Sequence, residues 1–542
     1  MPRPPISLNP TTLALATAAW IGAFSNWPLW QALARLPEMS SARGLVFIAG
    51  FMLAVMALTF ALLTVFASRF TIKPMAAFFV LAAAFGAHFM GAYGVVIDPT
   101  MMTNVLQTNA RETRDLLSGR MVLVVALLAA PPLWGLWRVR LLPTSGWRQL
   151  ARNAVAVLAS IALVVAIVFA LFADLSATMR NHRQLRYLIN PLNSFFSLGV
   201  LAAEGQAKPK GPPLAIGLDA AALPRAADAK PPLLLLVVGE TARADHFSLN
   251  GYKQRTNPEL AERQVLSFTE VSSCGTSTAA SLPCMFSHLG RKEFNAADRD
   301  HENLLDVLQR AGYAVLWLDN QAGCKGLCTR VPNAETGDDK TLPATLCDSE
   351  GECFDEALLH GLDRRLATLP AERRAKGTVI VLHQMGSHGP AYYKRSPPER
   401  KPFTPECTTN VLQQCEHESL IHAYDNSVAY TDHVLAMAVD WLKAREADSA
   451  PALLYVSDHG ESLGENNLYL HGLPYAVAPR EQTHVPMVVW LPPRHPLTAC
   501  LASQQSKPLS HDNLFHTVLG LAGVRAKEYQ QALDMTAQCG PR

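Results

Sequence analysis

Hydropathy divides the chain into two regimes. Up to about residue 177, long apolar runs alternate with short polar loops, at 12–36, 45–67, 74–97, 121–141 and 153–175. A helix crosses a bilayer with about 20 mostly apolar residues, so each run is long enough to span one. The first run is too long for a secretory leader, carries Trp20, Trp27 and Trp30, and is followed at once by another, so it reads as an anchor. From residue 233 the pattern shortens. Apolar runs at 233–238, 314–318, 378–383, 452–457 and 485–490 alternate with amphipathic stretches at 301–311, 355–368 and 427–446. Near-continuous runs such as Leu-Leu-Leu-Leu-Val-Val need burial on both faces, and the alternation predicts a parallel sheet with crossover helices.

Two connecting regions join these regimes. Arg180, His182, Arg183 and Arg186 precede Tyr187, Leu188, Ile189, Phe195, Phe196 and Leu198, the pattern of an interfacial helix. A Pro- and Ala-rich stretch over 208–230 reads as a linker. The expected organisation is therefore a five-span domain over 1–177, an interfacial helix and linker over 178–231, and an α/β catalytic domain over 232–542. The polar loop at 98–120 carries Met101, Met102, Val105 and Leu106; it reads either as a membrane-surface helix or as a plain amphipathic connector.

Charge and cysteine usage give this organisation a direction. A net charge of +2 implies no polyanion-binding surface overall, so a nucleic-acid partner is not expected. Arg69 and Lys73, then Arg138, Arg140, Arg148 and Arg152, occupy two loops that lie on one side of the membrane. The positive-inside rule makes that side cytoplasmic, and five spans place everything after residue 177 opposite. Arg111, Arg114 and Arg120 in the third loop run against the rule. All ten cysteines lie at or beyond Cys274, most in close pairs: Cys274 with Cys284, Cys324 with Cys328, Cys347 with Cys353, Cys407 with Cys415. Cys500 and Cys539 are left over. Even number, pairing and segregation point to disulfides in an oxidising compartment, which is the side the loop charges select.

The candidate chemistry lies at strand ends. Glu240 follows the first short strand, and Asp458, His459 and Glu461 follow the fourth. In an open α/β sheet such tips converge, and three ligands of this kind suit a catalytic Zn²⁺ with an open position. The third strand ends in His383-Gln-Met-Gly-Ser-His388-Gly, and His471 follows the fourth tip. The segment Ser272-Ser-Cys-Gly-Thr-Ser-Thr278-Ala-Ala-Ser281 is dense in hydroxyls and leads into a helix. It supplies either an ordinary helix cap or a nucleophile placed where backbone N–H groups stabilise phosphate.

Four motifs carry a resemblance: Val-Val-Gly-Glu240-Thr-Ala-Arg-Ala-Asp-His, Ser-Cys-Gly-Thr-Ser-Thr278-Ala, His383-Gln-Met-Gly-Ser-His388-Gly-Pro, and Ser-Asp458-His459-Gly-Glu461-Ser-Leu-Gly-Glu-Asn. Together with the anchor and linker they resemble the phosphoethanolamine–lipid A transferases, the family that includes the mobile colistin resistance enzymes. The resemblance implies a catalytic domain of the alkaline-phosphatase and sulfatase type. It implies Thr278 as nucleophile, with Glu240, Asp458, His459 and the Thr278 oxygen holding one tightly bound Zn²⁺; a second zinc is left open. His388 and His471 match residues that contact the phosphoryl group or a second metal. Glu461, His383 and Lys325 match neighbouring or substrate positions, and Asn104 and Glu112 match residues that help hold the lipid. Gln321 stands where some members have Asn, and those members lack the Cys324 and Cys328 pair, so ethanolamine binding there departs from the pattern.

The implied reaction takes phosphoethanolamine from phosphatidylethanolamine to a lipid A phosphate at the bacterial inner membrane, by a monomer whose catalytic domain is periplasmic. Polymyxin and colistin resistance would follow. The rival acceptor is a periplasmic glycan, modified with phosphoethanolamine or phosphoglycerol. A sulfatase is disfavoured because no Cys-x-Pro-x-Arg pattern surrounds Thr278. A lipid-binding protein without catalysis is disfavoured because every expected group is present.

Overall fold

In the computed structural model the first expected span is broken. Helix α1 (Pro10–Trp20) runs into a π-helical turn at Ile21–Ser25, and α2 (Trp27–Ala34) begins after Asn26. Pro28 has no N–H to give the preceding turn, so the ladder cannot continue through it. Side chains take the freed carbonyls. Asn26 Nδ2 donates to Ile21 O at 3.0 Å and Trp30 Nε1 to Gly22 O at 2.8 Å, while Asn190 Nδ2 donates to Ser25 O at 2.9 Å and Ala83 O at 2.6 Å. Such replacement is what permits irregular backbone at membrane depth.

Among the described residues four helices are long and apolar enough to cross a bilayer: α3 (Ala42–Val65), α4 (Ile72–Tyr93), α7 (Gly119–Arg138) and α8 (Gly146–Ala170). Between α4 and α7 lie the short helices α5 (Pro99–Gln107) and α6 (Ala110–Leu116). A polar cluster ties α8 to α1 and to the turn that follows α3. Gln149 Nε2 donates to Thr11 Oγ1 at 2.9 Å and Asn153 Oδ1 at 2.7 Å, and Asn153 Nδ2 donates to Ala67 O at 2.8 Å. The single interfacial helix expected over 180–204 is instead a helix at Phe172–Asn181, a 3-10 turn at Arg183–Leu188 and a helix at Leu192–Ala207.

The structure describes residues 6–539 apart from 109, 208–210 and 349–350. They form two units: one holds the long helices up to Met102 and Leu117–Ala203, the other holds Thr103–Leu116 and the chain from Glu204 onward.

The second unit is built on an eight-stranded sheet. Its strands are β1 (Pro232–Gly239), β2 (Leu266–Ser272), β3 (Ala314–Asp319), β4 (Asn333–Glu335), β5 (Thr378–His383), β6 (Ala450–Ser457), β7 (His484–Trp490) and β8 (Leu509–Ser510). The spatial order is β8-β2-β7-β6-β1-β5-β3-β4. All five expected strands are present, and β1, β3, β5 and β6 are parallel. The fifth corrects the expectation, because β7 runs antiparallel to both β6 and β2. A parallel return needs a crossover, usually a helix. Residues 458–483 carry only turns, a small hairpin (Ser462–Leu463 with Tyr469–Leu470) and one helical turn, so the chain re-enters the sheet from the end it left. Strand β2 escaped the sequence reading because its apolar residues are interrupted by Thr269 and Glu270. Leu234, Leu236 and Val238 bury one face of the central strand beneath α9 (Thr278–Met285), α10 (Leu304–Arg310) and α12 (Leu514–Ala522), while α11 (His417–Lys443) packs on β6. The ten cysteines form five disulfides: the four close pairs and Cys500–Cys539.

Candidate active site

Neighbouring strands β1 and β6 pair in register up to Gly239 and Ser457, so the residues after them emerge side by side. Glu240, Asp458 and His459 are wholly buried, and one potential ligand atom of each lies within 4.8 Å of the others. The local backbone leaves each with a free donor. Asp458 Oδ1 accepts the N–H groups of His459 at 2.8 Å and Thr241 at 3.3 Å, while Oδ2 has no hydrogen-bond partner. Glu240 Oε2 accepts from Thr278 Oγ1 at 2.9 Å and Gln321 Nε2 at 3.1 Å, while Oε1 has none. His459 Nδ1 donates to the Gly460 carbonyl at 2.9 Å, so Nε2 is the nitrogen that faces the carboxylates, 3.3 Å from Glu240 Oε1 and 3.5 Å from Asp458 Oδ2. That Nε2 stands 3.4 Å from Thr278 Oγ1.

Two orphaned carboxylate oxygens, one imidazole nitrogen and one hydroxyl thus face one point in a buried site. Unpaired buried carboxylates are costly, so the set fits a divalent cation, and its O/N chemistry suits zinc. Burial opposes charge on all three side chains. Burial and the neighbouring Glu240 raise Asp458, whereas the two carboxylates outweigh burial at His459 and raise it, and His459 outweighs burial at Glu240 and lowers it.

Thr278 opens α9, with Ser277 before it in extended backbone. The Ser277 hydroxyl makes no capping hydrogen bond, so the ordinary-cap reading is not what this segment shows; the hydroxyl that faces the carboxylates is that of Thr278. The opposite wall needs a residue without a side chain. Gly386 has φ +53°, and a Cβ there would stand 2.7 Å from the Glu240 carbonyl oxygen. Thr241 also holds positive φ, at 53°. Such backbone strain persists where surrounding structure fixes it.

The other expected residues fall into two groups. His471 Nδ1 lies 3.0 Å from Glu461 Oε2, and its ring centroid is 4.3 Å from that of His459 and 6.0 Å from that of His388. His383 Nδ1 lies 3.0 Å from Asp319 Oδ2, which also accepts from Trp317 Nε1 at 2.8 Å. Burial alone would raise Asp319, but His383 and these hydrogen bonds hold it down at about 2. Lys325 is not brought into this hydrogen-bonded cluster among the described residues; its ammonium meets the Ala322 carbonyl at 3.2 Å. Asn104 lies on α5, where its carbonyl accepts from Thr108 Oγ1 at 2.8 Å. The Glu112 side chain lies outside the described residues.

His511 is a site residue that the sequence did not reveal. Its Nδ1 accepts Cys274 N–H at 3.0 Å and its Nε2 donates to Ser457 O at 2.9 Å, joining the Thr278 loop to the β6 tip. Ser281 reinforces that join through its hydroxyl on Asp458 O. The only signal was Ser510 before an apolar helix, which reads as a cap and is one. Asp355 was equally silent: it accepts Met385 N–H at 2.8 Å and Gly386 N–H at 2.9 Å, shaping the loop that carries His388.

Comparison with known proteins fits this geometry. The Sulfatase family model matches residues 232–524, and the model described as phosphoethanolamine transferase EptA/EptB matches 55–205. Phosphoethanolamine transferase EptA of Escherichia coli (strain K12) is 39% identical, over 98% of this chain and 97% of its own. Phosphatidylethanolamine transferase Mcr-1 of Escherichia coli is 38% identical, over 98% and 97%. The solved integral membrane protein lipooligosaccharide phosphoethanolamine transferase A from Neisseria meningitidis superposes with a TM-score of 0.92 at 32% identity, covering 99% of each chain. Fold and site define a membrane-anchored transferase whose catalytic domain is of the alkaline-phosphatase and sulfatase type. The chain belongs to the phosphoethanolamine transferase family.

Proposed function

We propose that this enzyme transfers phosphoethanolamine from phosphatidylethanolamine to a phosphate of lipid A through a phospho-Thr278 intermediate. The observation that carries the reading is Thr278 Oγ1, 2.9 Å from Glu240 Oε2 at the start of a helix, beside a buried cluster in which Glu240 Oε1 and Asp458 Oδ2 have no hydrogen bond. Relatives named phosphatidylethanolamine transferase and lipooligosaccharide phosphoethanolamine transferase support the choice of substrates. Glu240, Asp458, His459 and the Thr278 oxygen would hold zinc, which when bound lowers the pKa of a hydroxyl and neutralises phosphoryl charge.

The chain's own residues do the rest. Glu240 Oε2 accepts the Thr278 hydrogen bond and aims the hydroxyl. N–H groups at the start of α9 meet the phosphoryl oxygens. As the Thr278 oxygen bonds to phosphorus it gives its proton to Glu240 Oε2, and the bond from phosphorus to the glycerol oxygen breaks. Glu461 orients His471 through Nδ1, leaving Nε2 to protonate the departing diacylglycerol. A lipid A phosphate oxygen, losing its proton to His471, then attacks phosphorus, and the phosphorus–Thr278 bond breaks as the Thr278 oxygen takes its proton back from Glu240. The cysteines and loop charges support a periplasmic site on the inner membrane. Added ethanolamine makes an anionic lipid less so, which weakens its attraction for cationic peptides such as polymyxins.

Expression in a polymyxin-sensitive Gram-negative host should add phosphoethanolamine mass to lipid A and raise polymyxin tolerance. Thr278→Ala should abolish both while the protein stays in the membrane. Transfer by that variant would remove Thr278 as nucleophile. Phosphoethanolamine on periplasmic glucans with unmodified lipid A would select the glycan acceptor instead.

A further inference from the structure

Arg395 is a buried arginine with three kinds of partner. Its Nη2 lies 2.5 Å from Asp115 Oδ2, its Nη1 3.3 Å from Glu352 Oε2, and its Nε donates to the His388 carbonyl at 2.8 Å. Asp115 and Arg395 are each only 3% exposed. Lys394 adds a second cation to Asp115 at 2.6 Å, and Asn410 Nδ2 donates to the Asp115 carbonyl at 2.7 Å. Asp115 belongs to α6, on the segment between α4 and α7, yet Thr103–Leu116 clusters with the catalytic unit. The other end of the chain of contacts is the loop that carries His388, whose ring lies 6.0 Å from that of His471.

A guanidinium this buried needs its counter-charge. Removing one partner of a buried pair leaves the other uncompensated, so the pair forms or fails as a unit. The fork of Arg395 is rigid and planar, so it cannot satisfy Asp115 and also drift from the His388 carbonyl. Lysine has one compact charge and cannot hold both ends of that span.

We infer that Arg395 is a positioning residue for His388, and that Asp115 holds Arg395 in place, so that docking of the 103–116 segment sets the catalytic loop. The inference rests on the reading of His388 as a group that meets the transferred phosphoryl. The segment that carries Asn104 is thereby coupled to the loop that carries out chemistry, through two side chains and one carbonyl. Substrate-contacting geometry is sensitive to small displacement: a shift of about 1 Å costs on the order of a hundredfold in rate.

The test uses the full-length protein in vesicles containing phosphatidylethanolamine, with transfer and bound zinc both measured. Arg395→Lys keeps a charge for Asp115 but loses the His388 carbonyl. It should lower kcat at least about tenfold, within the range that misplacement produces, with KM and zinc content unchanged. Asp115→Asn should lower kcat likewise, and Asp115→Glu should restore part of the loss. The deciding measurement is the double variant Arg395→Lys with His388→Ala, which should be no slower than His388→Ala alone. Multiplied losses in the double variant would overturn the coupling and leave the role of His388 intact. Full activity in His388→Ala alone would overturn that role and the coupling with it. If Arg395→Lys loses zinc or fails to fold, Asp115→Asn paired with His388→Ala decides in the same way.

Discussion

At the residue scale, the site depends on which atoms are left without partners. His511 and His516 illustrate the converse, since both are buried and each accepts a backbone N–H on Nδ1, from Cys274 at 3.0 Å and Gln530 at 3.1 Å. Only an unprotonated nitrogen accepts. Burial holds both imidazoles down at about 4, against an ordinary value near 6.5. Between those values the unfolded chain binds more protons than the folded one, so stability rises with pH. It is complete above about pH 6.5 and lost as pH falls toward about 4. Thermal melting in detergent should therefore show Tm falling by roughly 5 °C across that window. His516→Asn should flatten the slope. An unchanged slope in that variant would remove His516 from the account. Neither histidine was legible in the sequence, because burial and an N–H partner from a distant loop are properties of the fold alone.

At the element scale, strand tips were legible and strand direction was not. Apolar runs ending in Glu240 or Asp458 mark both a buried strand and its functional end, since backbone periodicity and the site coincide there. The direction of β7 depends on the path of residues 458–483, which follows from contacts and not from periodicity. The break in the first membrane element is similar. Asn26 and Pro28 announce an irregularity, but Asn190, which takes the Ser25 and Ala83 carbonyls, lies 164 residues beyond Asn26. Asn190→Leu should leave the Ser25 carbonyl unpaired, take a second donor from that of Ala83, which the α4 ladder already serves, and cost about 1–3 kcal/mol. Lower Tm of the detergent-solubilised protein would show it; an unchanged Tm would mean that other groups satisfy them.

At the scale of the whole molecule, two unrelated signals agree on orientation. Loop charges place residues after 177 opposite the cytoplasm, and all ten cysteines of that part are disulfide-bonded. A cysteine introduced as Lys253→Cys should react with a membrane-impermeant maleimide in intact spheroplasts. Ser145→Cys, in the loop between α7 and α8, should react only after the membrane is opened. Labelling of Ser145→Cys in intact spheroplasts would reverse the topology.

By itself the sequence determined the two hydropathy regimes and the buried strands of the sheet, and it named the candidate ligands. Each follows from local pattern or composition, which the chain carries without folding. The tertiary structure decided which ligand atoms stay unpaired, how β7 runs, how Cys500 meets Cys539, and that Arg395 joins Asp115 to the His388 carbonyl. These depend on residues tens to hundreds of positions apart reaching hydrogen-bonding distance. Burial is what gives such contacts their energy, and burial exists only once the chain has packed.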